Sequence, residues 1–488
     1  MKLKNSLKNR RPCQTRSPVF GIMLSIPVLV SIMLRPINNL DEIWNFGFVM
    51  PMVNGMVPYK DMNIIITPLA PWLASIVMLA TEEELLIFRL CGVILCTLIL
   101  WMTWQLLLDL KLEWKKAFLF CLILGLWYGQ YFTYDYNFLN LLFLLIIVRV
   151  ELSEKKESLK GFGVGVLCGM GLLTKQTTGV FFSVAGFLCA IGIRKERGRT
   201  LLLRLAGNML FPCVFGIYLL CKQCLREFLV YCVGGITKFG NNKTLIDYWK
   251  CGSMQRLQLL IIGGYWVYWT VLFLNDGKKN NIPQFRKILF MYGSFSTLLA
   301  YPIFDDIHFL TGAYLFVVLI FFDLGRITYV KQKGTVLFGT LYIYALCVGL
   351  QLYSLKDYDL KLCELNHYRG ILIERRLEER IKEVTAYITQ FRKRGQDVYI
   401  LDAAAELFMI PLDIYHKDYD LMLKGTNGSK EPLELTEKLC EKDVVIFVLN
   451  EKYSLNWQYP PEVVSTVRER KVKINEITVY DVYGKENQ

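Results

Sequence analysis

Twelve apolar stretches follow one another between residues 19 and 353: 19–34, 64–80, 85–108, 117–132, 136–150, 161–174, 177–193, 201–221, 257–274, 288–301, 308–324 and 335–353. A helix crossing ~30 Å of hydrocarbon needs roughly 20 apolar residues, with about 17–25 usual. The pattern therefore predicts a polytopic α-helical membrane protein of about 11–13 transmembrane helices, the shorter stretches extending into their flanks or entering the bilayer only in part. Charge divides the chain the same way. Residues 1–354 hold 35 Lys+Arg and 19 Asp+Glu, about 15% charged and net +16. Residues 355–488 hold 21 and 24, about 34% charged and net −3. A soluble domain carries roughly 25% charge, so the first part is too apolar for water and the second is ordinarily soluble. The expected organisation is a basic arm over 1–18, a membrane domain over 19–354 and a soluble α/β domain over 355–488. This excludes a soluble multidomain protein. Nor does the net charge of +13 point to nucleic acid, because the basic excess lies in the apolar part.

Lys and Arg mark cytoplasmic loops. The arm (Lys2, Lys4, Lys8, Arg10, Arg11, Arg16) and the loops Arg194–Arg204, Lys278–Lys287 and Arg326–Lys333 are basic, which assigns them to the cytoplasm. Asp135, Lys175, the Asp305–His308 segment and the tail then face outside. Twelve full crossings would bring the tail back to the arm's side, so one stretch must fail to cross. Segment 64–80 is the choice: it opens Thr67-Pro68-Leu-Ala-Pro71 and closes on Thr81-Glu82-Glu83-Glu84, as a helix dipping in from the outer face would. The first stretch contains Pro27 and runs into Arg35-Pro36 without a small-residue cleavage site, so it reads as a retained span.

Four interruptions carry residues that do not suit a membrane interior. The first outer loop, 35–63, presents Asp41-Glu42 ahead of an amphipathic stretch. A partly desolvated carboxylate there could act as a general base. The alternative is an acidic helix N-terminus favoured by the dipole. Asp135 and Asn137 stand in a break of a few residues between two apolar helices, where ionisable groups are functional by default. Lys175 lies midway through 33 apolar residues, and either meets an anion such as a phosphate or snorkels from a turn. Tyr301-Pro302 precedes Asp305, Asp306 and His308, the last either hydrogen-bonded in place or part of a metal site that no second histidine supports. Cysteines show no metal-like spacing, Cys221 and Cys224 match a redox gap only by chance, and Cys363 and Cys440 could pair or stay free. In the tail, 369–394 reads as an amphipathic helix, 397–401, 443–449 and 474–482 as strands, and 461–470 as a helix.

The ordered set of Asp41-Glu42, Gly55-x-x-Pro58-Tyr59-x-Asp61, Pro68 with Pro71, Tyr134-Asp135-x-Asn137, Gly171-Leu-Leu-Thr-Lys175 and Tyr301-Pro302 with His308 resembles the GT-C superfamily of membrane glycosyltransferases. The similarity is to bacterial relatives of dolichyl-phosphate-mannose protein mannosyltransferases and to Rgt-type and aminoarabinose transferases, over about residues 19–353. Such families usually have an adjacent proline pair, here spread as Pro68 and Pro71. The resemblance implies an inverting transferase that moves a sugar from a polyprenyl-phosphate donor to a hydroxyl of a glycan, lipid or protein acceptor at the outer face. It implies Asp41, with Glu42 beside it, as the catalytic carboxylate, and Tyr59, Lys60, Asp61, Asp135, Asn137, Lys175 and His308 as substrate-binding residues. No cofactor is assigned, although a divalent metal ion could be held by Asp61 and Asp135. The competing function is a transporter or flippase of lipid-linked glycans, which should show related halves with matching broken helices. No internal repeat is visible.

Overall fold

The computed structural model of the protein describes residues 18–37, 40–240, 243–276, 282–327, 349, 355–356, 358–418, 421–453 and 458–485. Residues 1–17 of the basic arm and the 335–353 stretch, residue 349 apart, lie outside the described residues. The helices of the apolar part are α1 (Pro18–Met33), α2 (Leu40–Val53), α3 (Leu69–Leu79), α4 (Leu85–Asp109), α5 (Trp114–Trp127), α6 (Tyr136–Leu152), α7 (Glu157–Thr174), α8 (Gln176–Leu188) and α9 (Gly198–Cys221). An irregular helical run over 225–239 follows, then α10 (Leu245–Cys251), α11 (Ser253–Asp276), α12 (Gln284–Thr297), α13 (Asp306–Gly312) and α14 (Tyr314–Ile327).

Leu85–Asp109, Gln176–Arg194, Gly198–Cys221 and Ser253–Asn275 are each long and apolar enough to cross a bilayer, and α13 with α14 makes a fifth span broken by a 56° bend. Contacts at helix ends place α1 and α4 at one face and α4, α6, α12 and α14 at the other. On the tail's face, Ile37 N–H after α1 donates to Leu372 O at 2.9 Å, and Leu85 N–H at the start of α4 donates to His367 O at 2.8 Å. On the opposite face, Arg149 near the end of α6 pairs with Asp109 at the end of α4 (3.0 Å), and Arg286 in α12 pairs with Asp323 in α14 (2.5 Å). Helix α3 behaves differently. It has 11 residues, a rise of roughly 16 Å, and both flanks meet the tail: Asn63 N–H donates to Lys417 O (2.7 Å) and Glu83 O accepts from His367 Nδ1 (2.7 Å). It enters and leaves on one side.

Between the faces, packing relies on small residues because lipid supplies no hydrophobic drive between helices. Gly161, Gly165 and Gly169 recur at every fourth position of α7 and face α9. A Cβ on Gly165 would stand 2.1 Å from Arg204 O, and one on Gly169 2.5 Å from Asn208 O. At the face away from the tail, Glu151 accepts from Arg204 (2.8 Å) and Arg194 (3.1 Å), Glu196 pairs with both arginines (2.9 and 3.2 Å), and Tyr292 O–H donates to Glu151 at 3.1 Å. Two acids and two arginines thus balance inside the bundle and tie α6, α8, α9 and α12 together.

In the tail, β1 (Leu360–Leu362) and β2 (Leu372–Glu374) form an antiparallel hairpin. Helix α15 (Arg375–Lys393) then leads into a four-stranded sheet of β3 (Asp397–Leu401), β4 (Val444–Leu449), β5 (Val472–Ile477) and β6 (Tyr480–Gly484) in the order β3-β4-β6-β5. Strands β3 and β4 run parallel, and the other pairs are antiparallel. Helices α16 (Ala405–Met409), α17 (Pro432–Glu441) and α18 (Pro461–Arg470) complete the tail. The single strand expected over 474–482 is a hairpin. Its turn holds Thr478 at φ 51°, and no glycine or proline within 474–482 marks that turn in the sequence. Cys363 and Cys440 are buried and unpaired with each other.

Gly165→Leu is expected to cost more than the ~1–3 kcal/mol of ordinary overpacking, because the obstacle is the backbone of α9. Thermal unfolding of the variant in detergent should show a melting temperature well below that of the parent; an unchanged value would mean that α7 and α9 do not approach this closely.

Candidate active site

The site begins with helix α2. Asp41 and Glu42 occupy its first turn, and adjacent residues of a helix point about 100° apart, so the two acids have different surroundings. Glu42 turns inward. Its carboxylate receives Arg89 Nε at 2.9 Å and Arg89 Nη2 at 2.7 Å, both side chains being essentially inaccessible, while Arg89 Nη1 donates to Arg35 O at 2.6 Å. This two-pronged pair joins α2 to α4, and it occupies both oxygens of Glu42. Asp41 stays partly exposed. Burial raises its carboxyl above the ordinary range, and the nearby carboxylates of Asp305 and Asp135 raise it further, with Lys243 opposing, to about 7.

One turn on, Asn45 Nδ2 donates to Asp41 O (2.8 Å) and to Asp135 Oδ2 (3.1 Å). Asp135 caps α6, its Oδ1 accepting the Asn137 N–H. Asn137 continues the chain: its Oδ1 accepts from Lys175 Nζ at 3.1 Å, and its Nδ2 lies 3.5 Å from His308 Nε2. His308 Nδ1 stands 2.8 Å from Asp305 Oδ1, which also accepts the His308 N–H as the cap of α13. His308 thus stands between an amide nitrogen and a carboxylate oxygen. Lys175 is buried between α7 and α8, its ammonium 5.3 Å from the centre of the Tyr136 ring. Among the described residues it makes no ion pair. Its surroundings are one amide oxygen, an aromatic face and, beyond hydrogen-bond reach, the carboxylates of Asp135 and Asp305.

The structure thus joins Asp135, Asn137, Lys175 and His308 in one network, with Asp41 beside it. Tyr59, Lys60 and Asp61 are not brought there. Tyr59, at φ 69°, donates to Ile66 O (2.8 Å) and packs edge-on against Phe228; Asp61 Oδ2 accepts the Val57 N–H (2.8 Å); Lys60 is exposed. They fold their own loop against the end of α9 and the run that follows it. Sequence reasoning singled out neither Asn45 nor Lys243. Asn45 carries a detectable signal, four residues after Asp41 on the same helix face. Lys243 lies in an ordinary polar loop and is drawn in by the donation of Phe304 N–H to its carbonyl at 3.3 Å.

The acids do not form a metal cage. Among the described residues no three His, Cys, Asp or Glu side chains converge. Asp135 uses both oxygens on Asn45 and Asn137, and Asp61, proposed from the sequence as its companion ligand, sits in the other loop.

Three solved structures share this architecture. ArnT from Cupriavidus metallidurans in the apo state superposes with a TM-score of 0.56 at 10% identity, covering 95% of this chain and 97% of that one. The same protein bound to undecaprenyl phosphate gives 0.51 at 11% identity, with the same coverage. An oligosaccharyltransferase from Archaeoglobus fulgidus gives 0.51 at 10% identity, over 93% of this chain and 73% of that one. The chain has the GT-C membrane fold. It is a multi-pass membrane protein. No protein-family model matches the sequence, and no curated protein sequence does; the GT-C likeness resides in structure, at identities where fold outlasts sequence.

Glu42→Ala should destabilise the protein by about 3–5 kcal/mol, because it leaves Arg89 charged and buried without its carboxylate. Denaturation of the purified variant tests this. A variant as stable as the parent would free Glu42 from its structural assignment.

Proposed function

We propose that the chain is an inverting glycosyltransferase that uses a sugar linked to a polyprenyl phosphate and works at the tail's face of the membrane, taken as the extracytoplasmic face. The observation that carries this reading is the pairing, on one face of a GT-C fold, of a carboxyl held near neutrality (Asp41) with a buried lysine that makes no direct ion pair among the described residues (Lys175). The binding of undecaprenyl phosphate by ArnT, which shares the fold, supports a polyprenyl-phosphate donor.

In this reading Asp41 accepts the proton of the acceptor hydroxyl as its oxygen attacks the anomeric carbon. The carbon–oxygen bond to phosphate breaks, and the lipid phosphate leaves as an anion toward Lys175. A stable leaving anion needs positioning and positive charge more than protonation. Asp135, Asn137 and His308, held by Asn45 and Asp305, offer donors and acceptors to sugar hydroxyls. Glu42 holds α2 in place, and Tyr59, Lys60 and Asp61 shape the loop behind it. The basic balance of the other face agrees with its assignment to the cytoplasm.

Asp41→Asn should lower transfer about 10²–10⁴-fold with the protein still folded and membrane-inserted, assayed with a radiolabelled polyprenyl-phosphate sugar; full activity would remove Asp41 from the role of base. A second expectation concerns pH. The base acts ionised, and burial favours its protonated form, so kcat/KM should rise with pH through about 7, where an ordinary carboxylate would already be fully ionised. A rate independent of pH across this range would contradict the assignment.

A further inference from the structure

Three helices begin at the breaks where the network lies. Asp135 caps α6 and Asp305 caps α13, each taking an amide of the first turn. Helix α8 begins differently. Its cap position is Lys175, held extended at φ −155°, and no side chain caps the turn. The first amides of a helix have no partner within it, and that of Thr178, in this first turn, is buried with its residue.

The side chain of Thr178 adds a second donor. Its hydroxyl is buried and has no hydrogen-bond partner among the described residues. Helical hydroxyls ordinarily turn back to a carbonyl one turn earlier, as Thr174 does to Met170 O (2.9 Å) and Ser183 to Gly179 O (2.7 Å). Thr178 does not, and because Cα–Cβ bonds tilt toward the N-terminus of a helix, its side chain leans into the uncapped turn. Gln176 fixes that turn in place: its amide nitrogen donates to Ile65 O (2.9 Å) ahead of α3 and to Cys232 O (2.8 Å) in the run after α9.

The groups left over are therefore donors: a buried amide, a buried hydroxyl and the hydrogens of the Lys175 ammonium not used on Asn137. The turn is also the positive end of the α8 dipole. The carboxylates near Lys175 are already bonded, Asp135 to Asn45 and Asn137 and Asp305 to His308. A ligand that only accepts and carries negative charge answers this set, and a phosphate does both. Thr177 heads a stripe of α8, continued by Val180, Val184 and Leu188, whose apolar members are exposed. A phosphate at the turn can thus keep a hydrocarbon chain in the bilayer.

We propose that the first turn of α8 is the seat of the donor's phosphate, with the Thr178 N–H and hydroxyl binding its oxygens beside Lys175. The identity of the lipid rests on the transferase reading; the anion seat rests on the turn itself.

Binding to the full chain in nanodiscs tests this with undecaprenyl phosphate, undecaprenol and inorganic phosphate as probes. The parent should bind undecaprenyl phosphate and not the neutral alcohol. Thr178→Val, which keeps the shape and removes the hydroxyl, should weaken undecaprenyl phosphate binding about tenfold or more, as loss of a hydrogen bond to a charged group implies, and Thr178→Ser should restore it. If the valine variant does not fold, the parent carrying isotopically labelled threonine decides by NMR: the amide resonance identified by its loss in Thr178→Ser should move with undecaprenyl phosphate and stay with undecaprenol. Inorganic phosphate that competes in the parent and less well in Thr178→Val means that the turn takes phosphate free or lipid-borne; no competition confines it to the lipid-borne group. Equal affinity of parent and valine variant, equal binding of phosphate and alcohol, or an amide that does not move would overturn the seat. Transfer that persists in that case leaves the transferase reading standing, whereas phosphate bound at the turn in a parent without transfer would leave the seat and remove the reading.

Discussion

Inside a bilayer no water is available to satisfy polar groups released where a helix breaks, so every break must be closed by protein or line a cavity. This chain breaks at residues 128–135, at 175 and at 298–305, all on the tail's face. The side chains gathered there satisfy one another. Asp135 and Asp305 each cap the helix that follows, Asn137 lies between Lys175 and His308, and Asn45 reaches across from α2 to Asp135. One network therefore joins three breaks and positions α2 over them. Chemistry and folding draw on the same side chains, and this is why polar residues gather at the site.

Asp41 and Glu42 show how one helical step divides two roles. Glu42 is neutralised by a two-pronged arginine in a dry interior, an arrangement whose net stabilisation is small but whose disruption is costly. Asp41 stays partly exposed, with Asp305, Asp135 and Lys243 as charged neighbours, and the same burial that makes its charge expensive keeps its carboxyl near neutrality. The Glu42–Arg89 pair sets the orientation of the helix, and that orientation delivers Asp41 to the network.

Much of this was legible in the sequence, for physical reasons that differ by region. The apolar stretches and the polar tail follow from solvent preference alone, and the ends of α3 meet the tail on both sides, as Pro68, Pro71 and Glu82–Glu84 suggest. Asp135, Asn137, Lys175 and His308 stood out because charge and amide groups are costly at hydrocarbon depth. Tyr59, Lys60 and Asp61 looked equally significant beside Asp41, but a loop at the surface can turn polar groups toward its own backbone, and Asp61 does so at Val57 N–H. Sequence proximity to Asp41 said nothing about that turn. Arg89 as the partner of Glu42, 47 positions away, and His367 over α4 are tertiary pairings with no periodic signature.

The central claim is that a glycosidic bond is formed and a lipid phosphate released at the tail's face. Its most direct test incubates the purified protein in nanodiscs with a polyprenyl-phosphate sugar and an acceptor, and follows free polyprenyl phosphate together with the anomeric configuration of the product by NMR. The account predicts equimolar release of polyprenyl phosphate and a product of inverted configuration. Intact lipid-linked sugar moving across the bilayer with no new glycosidic bond, or a product of retained configuration, would contradict it.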